Sequence, residues 1–152
     1  MLTNSQREAI VAEAKTWVNT RYRGWSEVKG PRGGTDCGML LKAVFQKCQL
    51  IPQGNLGIDM RYSLQANQHA ADTVYRMIVE RFCREIPEDE ALPGDIVMYQ
   101  LNLGFSHAAI VVEWPGIIIH ALAHGGVKYS HGDTHPQLAG KPRKFYTLKE
   151  PE

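Results

Sequence analysis

Long apolar runs are missing from this chain: stretches such as Ala108 to Val112 and Gly116 to Ala123 fall far short of the roughly 20 residues a bilayer span takes, so no membrane insertion is expected. Cysteine is scarce. Cys37, Cys48 and Cys83 are odd in number and widely spaced, which excludes a disulfide framework and leaves at least one thiol free. An excess of one charge sign is absent too. The 17 Lys and Arg balance 16 Asp and Glu to a net charge of +1, so no global field draws in nucleic acid or an anionic membrane surface. The opening segment, Met1 to Ile10, lacks the basic-then-apolar pattern of a secretory signal, and synthesis in a reducing cytoplasm without a signal peptide is the expectation. Metal-ligand spacings of the Cys-x-x-Cys or His-Glu-x-x-His kind are also missing. His124, His131 and His135 with Asp133 crowd one loop-like tract, but neither a metal nor a cofactor is expected.

What is present is 43% hydrophobic residues over 152 positions, enough for one core, and residues 1–152 read as a single domain without internal repeats or linkers. Ala9, Ile10, Ala14, Trp17 and Val18 recur at helical spacing and predict an amphipathic helix from Ser5 to about Asn19, capped by Asn4 or Ser5. Five glycine or proline positions between Tyr22 and Gly34 predict a loop. After it, Met39, Leu40, Leu41, Val44 and Phe45 mark a second helix that Thr35 or Asp36 caps and Ile51-Pro52 ends. A third helix is predicted from about Gln65 to Arg84. From Pro93-Gly94-Asp95 the character changes to strands, at Ile96 to Leu101, Ser106 to Trp114 and Ile117 to Leu122, with a last one around Lys144 to Leu148. Helices first and antiparallel strands afterwards make an α+β domain.

Cys37 falls in the first turn of the second helix. Unsatisfied amides and the positive end of the helix dipole favour a thiolate there, and the same donors suit the oxyanion of a tetrahedral intermediate. The bland alternative is a small buried apolar residue, which free cysteines often are. His107 opens the strand Ser106 to Val112 at its rim, where an imidazole reaches a neighbouring helix end and takes a thiol proton; a surface histidine beside a loop is the alternative. His120 interrupts the apolar run Gly116 to Leu122, so a buried ring there needs a partner. It lies on the strand next to that of His107, in reach to orient it if the register allows, and is otherwise a satisfied core histidine. Tyr22 places a hydroxyl in the loop before the cysteine, with packing as the other reading. Arg21, Arg23, Lys29 and Arg32 either line a groove for acidic substrate or simply solubilise the loop.

The order Asp36-Cys37, Ser106-His107, Ile119-His120-Ala121 resembles the NlpC/P60 family of cell-wall cysteine peptidases. Trp17, Arg21-Tyr22-Arg23 and Val28-Lys29-Gly30 are similar to the stretch before the cysteine in the phage-associated branch, and Leu92 to Val97 to the family's turn into its first strand. The resemblance implies a papain-like α+β domain with N-terminal helices, the nucleophile at a helix N-terminus packed on an antiparallel sheet. It implies Cys37 as nucleophile, His107 as base, His120 as the orienting third residue, Tyr22 as a substrate or oxyanion contact and Asp36 as a shaper of the turn. The implied substrate is a peptidoglycan stem peptide, cut for example between D-glutamate and a diamino acid, with action at the bacterial cell wall. Phage tail proteins or an immunity protein are the implied partners, and a delivered amidase, an acyltransferase and an inactive tail or wall-binding component are the alternatives. The chain departs from the pattern after the cysteine, where Gly38-Met39 replaces a small residue followed by glycine. Gly38 still leaves open space beside Cys37.

Overall fold

The computed structural model describes residues 1–57, 75–101 and 104–149. Helix α1 spans Asn4–Lys15, and its cap lies one residue earlier than predicted. The Thr3 hydroxyl accepts from the Gln6 amide at 3.1 Å while the Gln6 side chain accepts from the Thr3 amide at 2.8 Å, a reciprocal capping box. The inner face of α1 carries Ile10 and Ala14 and also Arg7, which is buried. Arg7 Nη1 donates to Asp95 Oδ1 at 2.8 Å and to the Pro93 carbonyl at 3.1 Å, and Asp95 Oδ2 accepts from the Leu92 amide at 2.9 Å. The helix is thereby bolted to the turn that leads into the strand beginning at Ile96.

The segment predicted as a loop holds a short antiparallel ribbon, β1 (Glu27–Val28) and β2 (Gly34–Thr35). Its turn closes so tightly that a Cβ on Gly33 would lie 1.8 Å from the Val28 carbonyl oxygen, so glycine is required there for space. Helix α2, Cys37–Lys47, follows immediately with Asp36 as N-cap. Of the third predicted helix, residues 65–74 lie outside the described residues. The remainder is a π-helical turn, Tyr75–Glu80, and then a strand, β3 (Cys83–Ile86), which begins where the end of the helix was predicted. The correction has a tertiary cause: β3 lies along β8, each of its four residues paired with one of Phe145 to Leu148, and this ladder overrides local propensity.

The main sheet runs β3-β8-β4-β5-β6-β7, every neighbour antiparallel, with β4 at Ile96–Gln100, β5 at Phe105–Val111, β6 at Ile117–Leu122, β7 at Gly126–His131 and β8 at Arg143–Leu148. Strand β7 occupies part of the tract predicted as loop. Its outer edge is covered at Val127, because the Asn19 amide donates to the Val127 carbonyl at 2.9 Å and the Val127 amide donates to the Thr20 carbonyl at 2.8 Å. Alternation along the strands divides the core. Ile96, Met98, Ala108, Ile110, Ile119 and Ala121 face the two helices and meet Ile10, Leu41, Val44 and Phe45. Val97, Tyr99, Ala109, Val111, Ile118 and Phe145 form a second cluster on the opposite face, closed by Leu138 and Trp114. The α+β architecture, helices layered on an antiparallel sheet, is the one the sequence implied. Among the described residues no helix is long and apolar enough to cross a membrane.

Candidate active site

Asp36 sets up the start of α2. Its Oδ1 accepts from the Met39 amide at 2.8 Å and its Oδ2 from the Trp25 amide at 2.7 Å, so one buried carboxylate caps the helix and ties it to the preceding loop. Burial raises the Asp36 carboxyl above its ordinary range, against the Met39, Trp25 and Gly38 amides that pull it down. Tyr22 bridges to Thr35 through its backbone, and its hydroxyl is pushed up to about 12 by burial first and then by the nearby Cys37 and Asp36. Tyr22 therefore stands by the cysteine as a neutral O–H donor.

Cys37 is half-buried where α2 meets β5, and its Sγ donates to the Ser106 carbonyl at 3.9 Å. The expectation of a helix-stabilised thiolate is reversed. Burial, with the Asp36 charge behind it, pushes the thiol up to about 12, although the amides of Ala108, Gly38 and Cys37 itself pull the other way. The three amides nonetheless gather around the sulfur as hydrogen-bond donors. Gly38 and Met39 are both buried in the first turn.

The thiol thus touches β5 on both sides of His107 in sequence, at Ser106 and at Ala108. The thiol's hydrogen bond goes to the strand's backbone and not to the His107 ring. His107 is 8% exposed, and its Nε2 lies 2.8 Å from Nδ1 of His120, which is fully buried. Strand register explains the meeting. Val111 pairs with Ile118, so by alternation His107 and His120 project from one face of adjacent strands, where diagonal neighbours come within reach. Desolvation holds His107 down to about 4, helped by His135, and His120 down to about 3, helped by His107 and His135. Both rings are neutral at physiological pH, and His107 Nδ1 is the nitrogen not engaged with His120.

Two further residues belong to this cluster and were not singled out from sequence as part of it. Ser130 Oγ lies 2.7 Å from His120 Nε2, and the His135 ring stands edge-on to His120 at a centroid distance of 5.7 Å. Recognising β7 would have exposed Ser130, since Ser130 pairs with Ile118 and so shares the face of His120. Among the described residues no group of His, Cys, Asp and Glu has the arrangement to hold a metal ion.

Comparisons with known proteins bear on the family and the fold. Residues 19–137 match the model of the NlpC/P60 family. No curated protein sequence matches the chain. Among solved structures, NlpC2 from Trichomonas vaginalis superposes with a TM-score of 0.66 at 18% identity, covering 99% of this chain and 49% of its own. The peptidoglycan hydrolase RipB from Mycobacterium tuberculosis gives 0.62 at 19% identity, covering 97% of this chain and 66% of its own. The NlpC/p60 domain of the peptidoglycan hydrolase SagA gives 0.55 at 24% identity, with 91% and 96% covered. At such identities these likenesses show a shared fold, and the chain spans about half the length of the Trichomonas protein.

Proposed function

The chain belongs to the NlpC/P60 family, and on that premise we propose that it is a peptidoglycan hydrolase, a cysteine endopeptidase that cuts stem peptides at a bond such as that between D-glutamate and a diamino acid. RipB and SagA, which share its fold, are both peptidoglycan hydrolases. The observation that carries the reading is the seat of Cys37: a thiol at a helix N-terminus, ringed by amides, resting on the strand that bears His107.

In this reading the resting site is a neutral thiol and a neutral imidazole. A substrate carbonyl arriving beside Cys37 draws the thiol away from the Ser106 carbonyl, and its proton passes to His107 Nδ1 as the sulfur–carbon bond forms. The oxyanion that results is met by the amides of Gly38 and Cys37 and by the Tyr22 hydroxyl. His107 then gives the proton to the departing amine, the carbon–nitrogen bond breaks, and a thioester remains. Water, deprotonated by His107, attacks the thioester; the carbon–sulfur bond breaks, His107 returns the proton to the sulfur, and the new carboxylic acid leaves and ionises in solvent. His120 holds the His107 ring through Nε2, and Asp36 fixes the loop and helix that present Cys37.

Mass spectrometry of purified muropeptides, incubated with the wild type and with Cys37→Ala, tests the proposal. Defined fragments made only by the wild type are expected, and their masses name the bond. Intact muropeptides after incubation with folded wild-type protein would overturn it and favour a wall-binding module.

A further inference from the structure

The hydrogen-bond chain that leaves His107 does not stop at His120. It crosses β6 and ends on β7, running from His107 Nε2 to His120 Nδ1 at 2.8 Å and from His120 Nε2 to Ser130 Oγ at 2.7 Å. Each neutral imidazole has one N–H, so the chain has two self-consistent directions. In the first, His107 donates to His120, His120 donates to Ser130, and His107 Nδ1 keeps a bare lone pair. In the second every bond is reversed, His107 Nδ1 carries the hydrogen, and the ring cannot accept a proton from a thiol. The first direction needs an acceptor at the far end. His120 is fully buried, so its Nε2–H has no water to turn to, and a buried N–H without a partner is among the costliest defects of an interior. Ser130 is half-buried, so its hydroxyl accepts from His120 while giving its own hydrogen to solvent.

Resting on the assignment of Cys37 and His107 above, we propose that Ser130 is a positioning residue of this site: its Oγ accepts the His120 Nε2–H and holds both rings in the tautomers that leave His107 Nδ1 free as base. The chain's dipoles then point one way. When His107 takes a proton, both bonds beyond it present their negative ends to the new charge and stabilise the imidazolium. Removing the hydroxyl leaves either a stranded N–H or the reversed chain, and a bare lone pair is the milder defect, so the reversed chain gains.

The matched pair Ser130→Thr and Ser130→Val tests this, because the two side chains have the same shape, both suit a strand, and only threonine keeps the hydroxyl. Ring nitrogen chemical shifts of His107 and His120, from long-range proton–nitrogen NMR, report the tautomers directly, and muropeptide hydrolysis reports their effect. The wild type and Ser130→Thr are expected to show His107 protonated at Nε2 alone. Ser130→Val is expected to show hydrogen at Nδ1 as well, with kcat reduced roughly ten- to a hundredfold and KM little changed. The same His107 tautomer in Ser130→Val as in the wild type would overturn the proposal, whatever the activity. The NMR result stands without turnover, so a wild type that cleaves nothing refutes the hydrolase reading and leaves the Ser130 assignment to be decided by the tautomers.

Discussion

Acidification should cost this protein stability through its two buried imidazoles. His107 and His120 sit near 4 and near 3 in the folded state, below the ordinary histidine value of about 6.5 that each regains on unfolding. Between those limits the unfolded chain binds protons that the native state refuses, so stability is complete above the unfolded value and is lost as pH falls below it. At about pH 5 each unfolded ring is protonated and each folded ring is not, a penalty of about 2 kcal/mol per histidine and about 4 kcal/mol for the pair. Asp36, with its raised carboxyl, works in the opposite direction and subtracts from that loss. Urea unfolding at about pH 7 and about pH 5 measures the difference, and replacing His120 with Asn should roughly halve it. A wild-type loss under about 1 kcal/mol, or one that His120→Asn leaves unchanged, would refute the claim that both rings are buried neutral.

Two mutations probe the scaffold. Arg7→Met removes the cation opposite Asp95 and leaves the buried carboxylate uncompensated; a loss of about 3 kcal/mol or more in urea unfolding is expected, and Asp95→Asn in the same background should recover part of it. Asp36→Ala strips two buried amides of their acceptor and should lower stability by about 2 kcal/mol while reducing muropeptide turnover, measured by unfolding and by fragment yield together.

The parts of the fold that were legible in the sequence are those written in local patterns. Helices α1 and α2 announced themselves by apolar spacing, α2 also by its Asp36 cap, and β4, β5, β6 and β8 by short apolar runs between turns. The ribbon β1–β2 was hidden because its glycines, which read as loop punctuation, are there to let two strands approach. The start of β3, Cys83 and Arg84, was read as the end of a helix because only its distant partner, β8, makes it a strand. For the candidate site, Cys37 and His107 stood out at the edges of apolar elements and His120 as a polar break within one. Ser130 was not, since a serine on an edge strand carries no signal until the strand register sets it beside a histidine. The charge state of Cys37 was read the wrong way round: the helix dipole is a local feature of the sequence, whereas the burial that outweighs it is a property of the assembled layers.

The sheet order has a consequence for synthesis. Strand β8, made last of the six, is inserted between β3 and β4, whereas the three strands that carry the histidine relay lie side by side and close together in sequence. A nascent chain leaving the ribosome has the relay's strands in hand well before residues 143–148 appear, yet β3 has nothing to pair with and β4 has one open edge until they do. Completion of the sheet, and with it a firm platform under Cys37, waits for β8, so a domain built this way cannot close its sheet on the ribosome before residues 143–148 have emerged.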